Sequence, residues 1–180
     1  MKVNPTFLFL YPDSIPRMNL WRPSFDLLFD TKSASEKIVK AIKEKKKIVI
    51  HGDFDADGIC SVSLLWEFLY KEVSSILGID VDVVPYIPSR VDQGYGLTQS
   101  SVNDVLELKG ELLISVDCGV RDGELIKKVS EENGLDFVIT DHHPPPEDLE
   151  TNLDFTLVHP TYPNHEYRYT QVCGTYVTFL

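Results

Sequence analysis

Three carboxylates and one imidazole are concentrated in a short stretch of this 180-residue chain, residues 51–58, which read HGDFDADG. Carboxylates this close together repel one another, and a bound cation is the usual way to neutralise such a cluster. The preceding residues 48–50 are apolar and β-branched, so they predict a buried strand with the acidic residues just past its carboxyl end. Apolar residues at helical spacing over 59–77 predict a helix directly afterwards. The stretch therefore forms half of a βαβ unit.

Two more groups of acidic and imidazole side chains stand at the ends of predicted strands. Asp117 follows a strand predicted over residues 111–116, and residues 141–143, Asp-His-His, follow a strand predicted over 136–140. In open parallel sheets, binding sites form outside the carboxyl ends of the strands. We therefore expect these groups to converge with residues 51–58 on one edge of a sheet.

The chemical types of these side chains restrict the kind of metal. Carboxylates with one or two imidazoles suit Mn²⁺ or Mg²⁺ better than zinc or copper, and the Cys and His spacings typical of zinc sites are missing. Asp117, placed between two other ligand groups, could bridge two ions. Two metal ions about 3.5–4 Å apart clamp the attacking and leaving oxygens of a phosphoryl displacement. The inferred chemistry is metal-assisted hydrolysis of a phosphoester or phosphoanhydride bond.

An EF-hand calcium loop is one alternative for the acidic stretch, because DFDADG matches its first half. That loop requires a bidentate Glu at its twelfth position, which here is Leu64, and a helix where a strand is predicted. A solvated acidic turn is another alternative, but it leaves His51 unexplained. His159 and His165 are interpreted as ordinary surface or core histidines, because neither is predicted to end a core strand. The joint occurrence of acids and imidazoles at three strand ends favours a site.

Strands alternate with helices along most of the chain, which indicates an α/β fold with a mainly parallel sheet. Residues 1–30 contain four prolines and are predicted to form an extended arm packed on the domain. Ser33 and Glu36 match a capping box at the start of the first helix. The predicted helices cover 33–46, 59–77, 98–108 and 122–133, with another from about 173, and the further predicted strands cover 80–88 and 155–158.

The composition sets limits on partners. The formal net charge is −11, which argues against a basic nucleic-acid surface within this chain, because phosphate contacts need Lys and Arg. The basic cluster at residues 43–47 (KEKKK) is interpreted as a solvated helix end. Three widely spaced cysteines favour a reducing, cytoplasmic compartment over a disulfide framework. No apolar run is long enough to span a bilayer, so no membrane partner is expected.

Three motifs resemble those of the DHH phosphoesterase superfamily: HGDFDADG (51–58), ISVDCG (114–119) and ITDHH (139–143) are similar to its motifs I, II and III. Residues 87–97, IPSRVDQGYGL, are similar to the branch of single-strand-specific 5′→3′ DNA exonucleases. The resemblance implies an α/β fold with a mainly parallel five-stranded sheet and helices on both faces. This Rossmann-like DHH domain would occupy residues 31–180.

The resemblance also implies roles for individual residues. The metal ligands for two Mn²⁺ or Mg²⁺ ions would be His51, Asp55, Asp57, Asp117 and His142, with Asp117 as the bridge. His143 would contact the scissile phosphate, while Asp53 and Asp141 would support the site or ligate in part. Arg90 is a tentative substrate contact. The turn at residues 94–96 matches a family signature whose role does not follow from the residues.

The implied activity is metal-dependent 5′→3′ digestion of single-stranded DNA in repair and recombination. Single-stranded DNA is therefore the expected partner, with a single-strand-binding protein or a helicase as further partners. Residues 173–180 (CGTYVTFL) resemble the helix start that precedes the family's fourth motif, which supplies another metal-ligating Asp. That Asp, the second catalytic domain (DHHA1) and the nucleic-acid-binding OB fold are not found. We therefore expect an amino-terminal piece of a longer protein, with little or no nuclease activity on its own.

The sequence leaves two other kinds of function open, a different enzymatic activity and a non-catalytic role. Superfamily relatives act on short oligonucleotides, cyclic dinucleotides, pyrophosphate or polyphosphate, although the pyrophosphatases carry an Asn-Pro-type motif I that FDADG does not match. A non-catalytic replication scaffold would keep the fold and lose metal ligands. Metal affinity separates the scaffold from the enzymes, and a comparison of long single strands with dinucleotides separates the substrates.

Overall fold

The computed structural model describes residues 28–149, 153–162, 167 and 169–180. The strands are β1 (Ile48–Gly52), β2 (Val83–Tyr86), β3 (Leu112–Val116), β4 (Asp136–Thr140) and β5 (Thr156–Val158). They form one sheet in the order β2-β1-β3-β4-β5, and every neighbouring pair is parallel. The predicted α/β class and five-stranded parallel sheet are thereby confirmed. Most of the predicted amino-terminal arm, and His165, lie outside the described residues.

The helices cover both faces of this sheet. They are α1 (Thr31–Lys43), α2 (Ala56–Glu67), which continues through a π-helical segment (Phe68–Val73) into α3 (Ser74–Leu77), then α4 (Gln99–Glu107), α5 (Gly123–Asn133) and α6 (Gly174–Phe179). Ala34, Val62 and Val177 belong to the core on one face, so α1, α2 and α6 pack there. Val105 and Ile126 belong to the core on the opposite face, which α4 and α5 cover.

The two central strands are buried along their whole length, because helices cover both of their faces. All five residues of β1 and all five of β3 are buried. Alternate residues enter opposite cores: Ile48 and Ile50 pack on the α1 side, whereas Val49 packs on the α5 side. This two-sided burial explains why the strands appear in the sequence as continuous apolar runs rather than as alternating patterns.

The strand order determines where a binding site can form. The chain leaves β1 toward β2 on one side and then crosses back to place β3 on the other side of β1. In a parallel sheet of order 2-1-3-4-5, this reversal opens a crevice at the carboxyl ends of β1 and β3. β1 ends with His51 and Gly52, and Asp117 follows the last residue of β3. The fold therefore positions the first two groups of candidate ligands at the crevice.

Two local predictions differ from the structure. Helix α1 begins at Thr31, whose hydroxyl donates to the Leu28 carbonyl at 2.6 Å, so the capping box predicted at Ser33 and Glu36 is wrong. The helix predicted over residues 59–77 begins earlier, at Ala56, and contains the π-helical segment. Periodicity alone does not distinguish a π turn from an α turn within one apolar run. Among the described helices, none is long and apolar enough to cross a membrane.

Candidate metal centre

The acidic turn between β1 and α2 places two carboxylates differently. Asp53 is buried, whereas Asp55 is exposed and caps α2 through its Oδ1, which accepts from the amides of Asp57 at 2.9 Å and Gly58 at 3.0 Å. Free amides at a helix amino terminus explain why an acidic residue stabilises this position. A Cβ at Gly58 would lie 2.7 Å from the Asp53 Cα, so only glycine permits this tight turn.

Asp117 presents a buried carboxylate directly after β3. Its backbone has a φ of 63°, which turns the chain sharply after β3, and its side chain is 1% exposed. Neither carboxylate oxygen has a hydrogen-bond partner among the described residues. Oδ1 lies 3.1 Å from Nε2 of His142, although the pair lacks hydrogen-bond geometry. Burial raises the pKa of Asp117 to about 8, and the nearby carboxylates of Asp57 and Asp55 act in the same direction.

Asp141 organises the loop after β4. Its Oδ2 accepts from the Val120 amide at 2.9 Å, and its Oδ1 accepts from the amides of His142 at 2.7 Å and His143 at 3.1 Å. Nδ1 of His143 lies 2.9 Å from the same Oδ1. Burial by itself would raise the pKa of Asp141, but these hydrogen bonds outweigh it and hold the pKa below its usual value. The same contact with Asp141 raises the pKa of His143.

Asp57 faces the amino terminus of α6. Its Oδ2 accepts from the Gly174 amide at 2.7 Å, and its Oδ1 accepts from the Thr175 amide at 2.8 Å and from the Thr175 hydroxyl. Burial works against the ionised form, but the bonds from Thr175 and Gly174 keep the pKa of Asp57 below its usual value. Oδ2 also lies 3.7 Å from Nε2 of His142. Asp57 therefore links α6 to the rim of the site.

Two groups of side chains are close enough to hold a metal ion. One is formed by Asp117, His142 and His143, and the other by Asp53, Asp55 and Asp117, with ligand atoms within 4.8 Å of one another in each group. Asp117 belongs to both groups. Two predicted ligands, His51 and Asp57, belong to neither group, although both lie on the same sheet edge. His51 is fully buried at the end of β1, and its Nε2 lacks a partner among the described residues.

Arg90 and the turn at residues 94–96 lie beside these groups. The exposed Arg90 guanidinium lies 5.1 Å from the centroid of the Phe54 ring. Burial raises the pKa of Asp53, and the positive charge of Arg90 acts in the opposite direction. Gly94 and Gly96 have φ values of 78° and 77°, a conformation that favours glycine. Between them, the Tyr95 hydroxyl lies 3.0 Å from Nδ1 of His143, so this turn contacts the DHH loop, which is residues 141–143 after β4.

His159 is the site residue whose role the sequence interpretation missed. It directly follows β5 and is fully buried, so the expectation that it ends no core strand is wrong. Its Nε2 donates to the His143 carbonyl at 2.8 Å, and its Nδ1 accepts from the Thr161 amide at 3.1 Å. Arg121, also not predicted, donates from Nε to the Pro144 carbonyl at 2.9 Å. The available signal for His159 was its position one residue past a strand.

Comparison with known proteins supports this assignment of the fold and motifs. Residues 47–179 match the DHH family, N-terminal domain. The single-stranded-DNA-specific exonuclease RecJ of Bacillus subtilis is 37% identical over 148 residues, which are 82% of this chain and 18% of that protein. RecJ of Thermus thermophilus is 33% identical over 129 residues, which are 72% of this chain and 18% of that protein. The chain thus spans about a fifth of the length of these relatives.

Solved structures show the same likeness. A crystal structure of exonuclease RecJ bound to manganese superposes with a TM-score of 0.67 and 32% identity, over 84% of this chain and 36% of that one. RecJ from Thermus thermophilus in complex with Mn²⁺ superposes with a TM-score of 0.64 and 29% identity, over 88% of this chain and 21% of that one. Each of these solved relatives is named as a manganese complex.

Proposed function

Because this chain belongs to the DHH family, we propose that its centre holds two divalent cations, Mn²⁺ or Mg²⁺, and hydrolyses phosphodiester bonds as part of a 5′→3′ exonuclease specific for single-stranded DNA. The ligands in this proposal are His51, Asp55, Asp57, Asp117 and His142. His143 contacts the scissile phosphate, and Asp53 and Asp141 support the site.

One observation carries the proposal. Among the described residues, the buried side-chain nitrogen and oxygen atoms without a hydrogen-bond partner are Nε2 of His51 and both carboxylate oxygens of Asp117. A buried polar atom without a partner costs about 1–3 kcal/mol, and more if it is charged. Both residues are proposed ligands: His51 lies on β1, and Asp117 directly follows the neighbouring strand β3. Cations would satisfy these atoms, whereas a scaffold without metal would leave their desolvation uncompensated.

The surrounding residues have complementary roles. When bound, two cations would stabilise negative charge on the attacking and leaving oxygens of the phosphate. Asp141 uses both oxygens in hydrogen bonds that orient the loop carrying the two histidines. Because Asp141 is bonded to Nδ1 of His143, the Nε2 of that ring is left for a phosphate oxygen. His142 instead directs its Nε2 toward Asp117 and Asp57.

The substrate class in the proposal comes from the relatives named as single-stranded-DNA-specific exonucleases, of which this chain matches about a fifth. The chain itself supplies few basic groups, in keeping with its net charge of −11. In the part of the chain that the structure describes, two exposed guanidiniums stand at the rim, Arg90 above Phe54 and Arg121 beside the DHH loop. These are suited to contact one or two phosphates near the cut. We propose that a longer strand is held by other parts of the whole protein.

Metal binding by residues 1–180 is the first test. We expect isothermal titration of Mn²⁺ to show binding to the wild type, and Asp117→Asn to weaken it by more than about tenfold, the smallest loss typical even of residues that only orient a ligand. The control is Glu132→Gln, an exposed position at the end of α5, on the opposite edge of the sheet. Equal affinity in wild type and Asp117→Asn, or no binding by the wild type, would refute the two-metal centre.

Substrate class needs a separate assay on the product of the complete coding sequence as well as on residues 1–180. Long 5′-phosphorylated single strands, duplex DNA and dinucleotides are supplied at equal concentration with Mn²⁺. The proposal expects the complete product to release products from the 5′ end of single strands, and residues 1–180 alone to release little or none. Preferential cleavage of dinucleotides would instead support a short-substrate phosphodiesterase.

A further inference from the structure

We propose that Cys118 is a positioning residue: together with Ser115 it holds the His51 imidazole in the tautomer that carries its proton on Nδ1, which leaves Nε2 free to bind a cation. The inference rests on the proposed function, because an unprotonated Nε2 at this position serves metal binding. It concerns the chain itself, however, and can be measured in the metal-free protein.

Three buried side chains form a continuous series beneath the site. His51, Ser115 and Cys118 are each 0% exposed. The Cys118 Sγ lies 3.7 Å from Nδ1 of His51 and 3.2 Å from the Ser115 Oγ. The Ser115 hydroxyl also donates to the Cys118 carbonyl at 2.7 Å. The Cys118 thiol therefore contacts a polar atom on each side, the Ser115 hydroxyl and the His51 ring, and the three side chains connect without a bridging water.

The backbone explains why these groups meet. His51 of β1 and Ser115 of β3 are paired in the parallel register, so their side chains leave the sheet on the same face. After β3 the chain turns sharply, with φ values of 63° at Asp117 and 109° at Gly119. This turn returns Cys118 to Ser115. A Cβ at Gly119 would lie 3.1 Å from the Ser115 Oγ, which leaves little room for any larger residue there.

A count of the available protons shows which group donates and which accepts in each of these hydrogen bonds. The Ser115 hydroxyl has one proton, and the backbone carbonyl of Cys118 can only accept, so that proton is committed to the carbonyl. Ser115 Oγ can then only accept from the thiol. The thiol proton therefore points to Ser115, and the Cys118 sulfur presents a lone pair to His51. Nδ1 of His51 must be the donor in that contact, so the neutral ring is unprotonated at Nε2.

The opposite direction creates an unfavourable contact. If the thiol donated to Nδ1 of His51, the sulfur and the Ser115 oxygen would face each other at 3.2 Å with no proton between them. His51 would then carry its proton on Nε2, the atom that has no protein partner among the described residues. Metal-binding histidines commonly have their tautomer set by a partner on the other ring nitrogen. Here a thiol contacts that nitrogen of His51.

The test is the tautomer of His51 in the metal-free protein, measured from the ring ¹⁵N chemical shifts of a histidine-labelled chain, with the signals assigned by loss in His51→Gln. We expect a protonated Nδ1 in the wild type and in Cys118→Ser, which keeps a donor and an acceptor. We expect Ser115→Ala to free the thiol proton for His51 and to shift the population toward protonated Nε2. Cys118→Ala removes the acceptor, and we expect a mixture of tautomers.

Manganese titration gives the second readout. Cys118→Ala and Ser115→Ala should bind Mn²⁺ about 10–100-fold more weakly, the usual effect of removing a residue that orients a ligand. Cys118→Ser should restore most of the affinity, and Cys60→Ala, which alters an exposed cysteine on α2, should leave it unchanged. A merely structural role for Cys118 would lower stability in the alanine variant without changing the tautomer.

The two proposals fail in different ways. A wild-type His51 protonated on Nε2, or a tautomer and Mn²⁺ affinity unaffected by Cys118→Ala and Ser115→Ala, overturns the role of Cys118 while metal binding stands. The predicted tautomer pattern with no Mn²⁺ binding by the wild type supports the hydrogen-bond series and overturns the metal centre instead.

Discussion

Replacement of Gly174 by alanine should destabilise the protein by disturbing the close contact between α6 and Asp117, although alanine ordinarily favours a helix. Gly174 is the first residue of α6, and a Cβ there would lie 2.6 Å from Cγ of Asp117 and closer still to Oδ1. Real Cβ atoms essentially never approach another heavy atom within 3.0 Å, so α6 or the Asp117 side chain must move. Movement of α6 would also stretch the 2.7 Å bond from the Gly174 amide to Asp57.

The size of the effect follows from these two contacts. Overpacking of this kind typically destabilises a protein by about 1–3 kcal/mol, and a hydrogen bond to a charged acceptor contributes about 1.5–3 kcal/mol to stability. Because the two effects overlap, we expect Gly174→Ala to lower the free energy of unfolding by about 2–4 kcal/mol. For a chain of this size that corresponds to a fall in melting temperature of roughly 4–16 °C. Affinity for Mn²⁺ should fall as well, because Asp117 is displaced.

The matched control is Gly123→Ala at the first residue of α5. Among the described residues, a Cβ at Gly123 would come within 4 Å of the Phe155 ring alone, at 3.7 Å, which is an ordinary contact. This variant should be as stable as the wild type or more stable by about 0.4–1 kcal/mol, since alanine restricts the unfolded chain. Urea unfolding followed by far-UV circular dichroism measures both variants. Equal stability of the two, with unchanged Mn²⁺ affinity in Gly174→Ala, would refute the close approach of α6 to Asp117.

Three further changes test single contacts by the same unfolding measurement. Thr175→Val removes the hydroxyl that donates to the Asp57 carboxylate and should lower the free energy of unfolding by about 1–3 kcal/mol. Thr175→Ser keeps a hydroxyl and should retain most of the wild-type stability. Equal stability of the Val and Ser variants would contradict a stabilising role for this hydrogen bond. His159→Asn removes the donor to the His143 carbonyl and should lower the free energy of unfolding by about 1–3 kcal/mol. The longer side chain of His159→Gln can still donate to that carbonyl, so this variant should lose less stability. A Gln variant less stable than the Asn variant would argue against this hydrogen bond. Thr98→Ala removes the cap of α4 and should cost about 0.5–2 kcal/mol, with Thr98→Ser near wild type; a neutral alanine variant would show that the cap contributes nothing.

Several features of the site could be predicted because they depend on local order along the chain. An apolar run followed by an acid or imidazole occurs at residues 48–53, 112–117 and 136–143, and each run is a parallel strand in the structure. Parallel strands place their carboxyl ends on one edge, so convergence of the three groups follows from the alternation of strands and helices. Local order did not settle helix starts, since α1 begins at Thr31 through a bond to Leu28 rather than through the Ser33 motif.

The sequence by itself thus determined the fold class, the edge of the sheet that carries the site, and the types of side chain gathered there. Only the tertiary structure decided which of those side chains are already engaged. Asp141 and Asp57 accept hydrogen bonds from backbone amides, whereas the Asp117 carboxylate has no donor among the residues that the structure describes. It also decided that His159 supports the DHH loop and that a thiol faces Nδ1 of His51. The physical reason is that hydrogen-bond partners such as Asp57 and Gly174 lie more than a hundred residues apart, and their meeting depends on packing between elements rather than on periodicity within one.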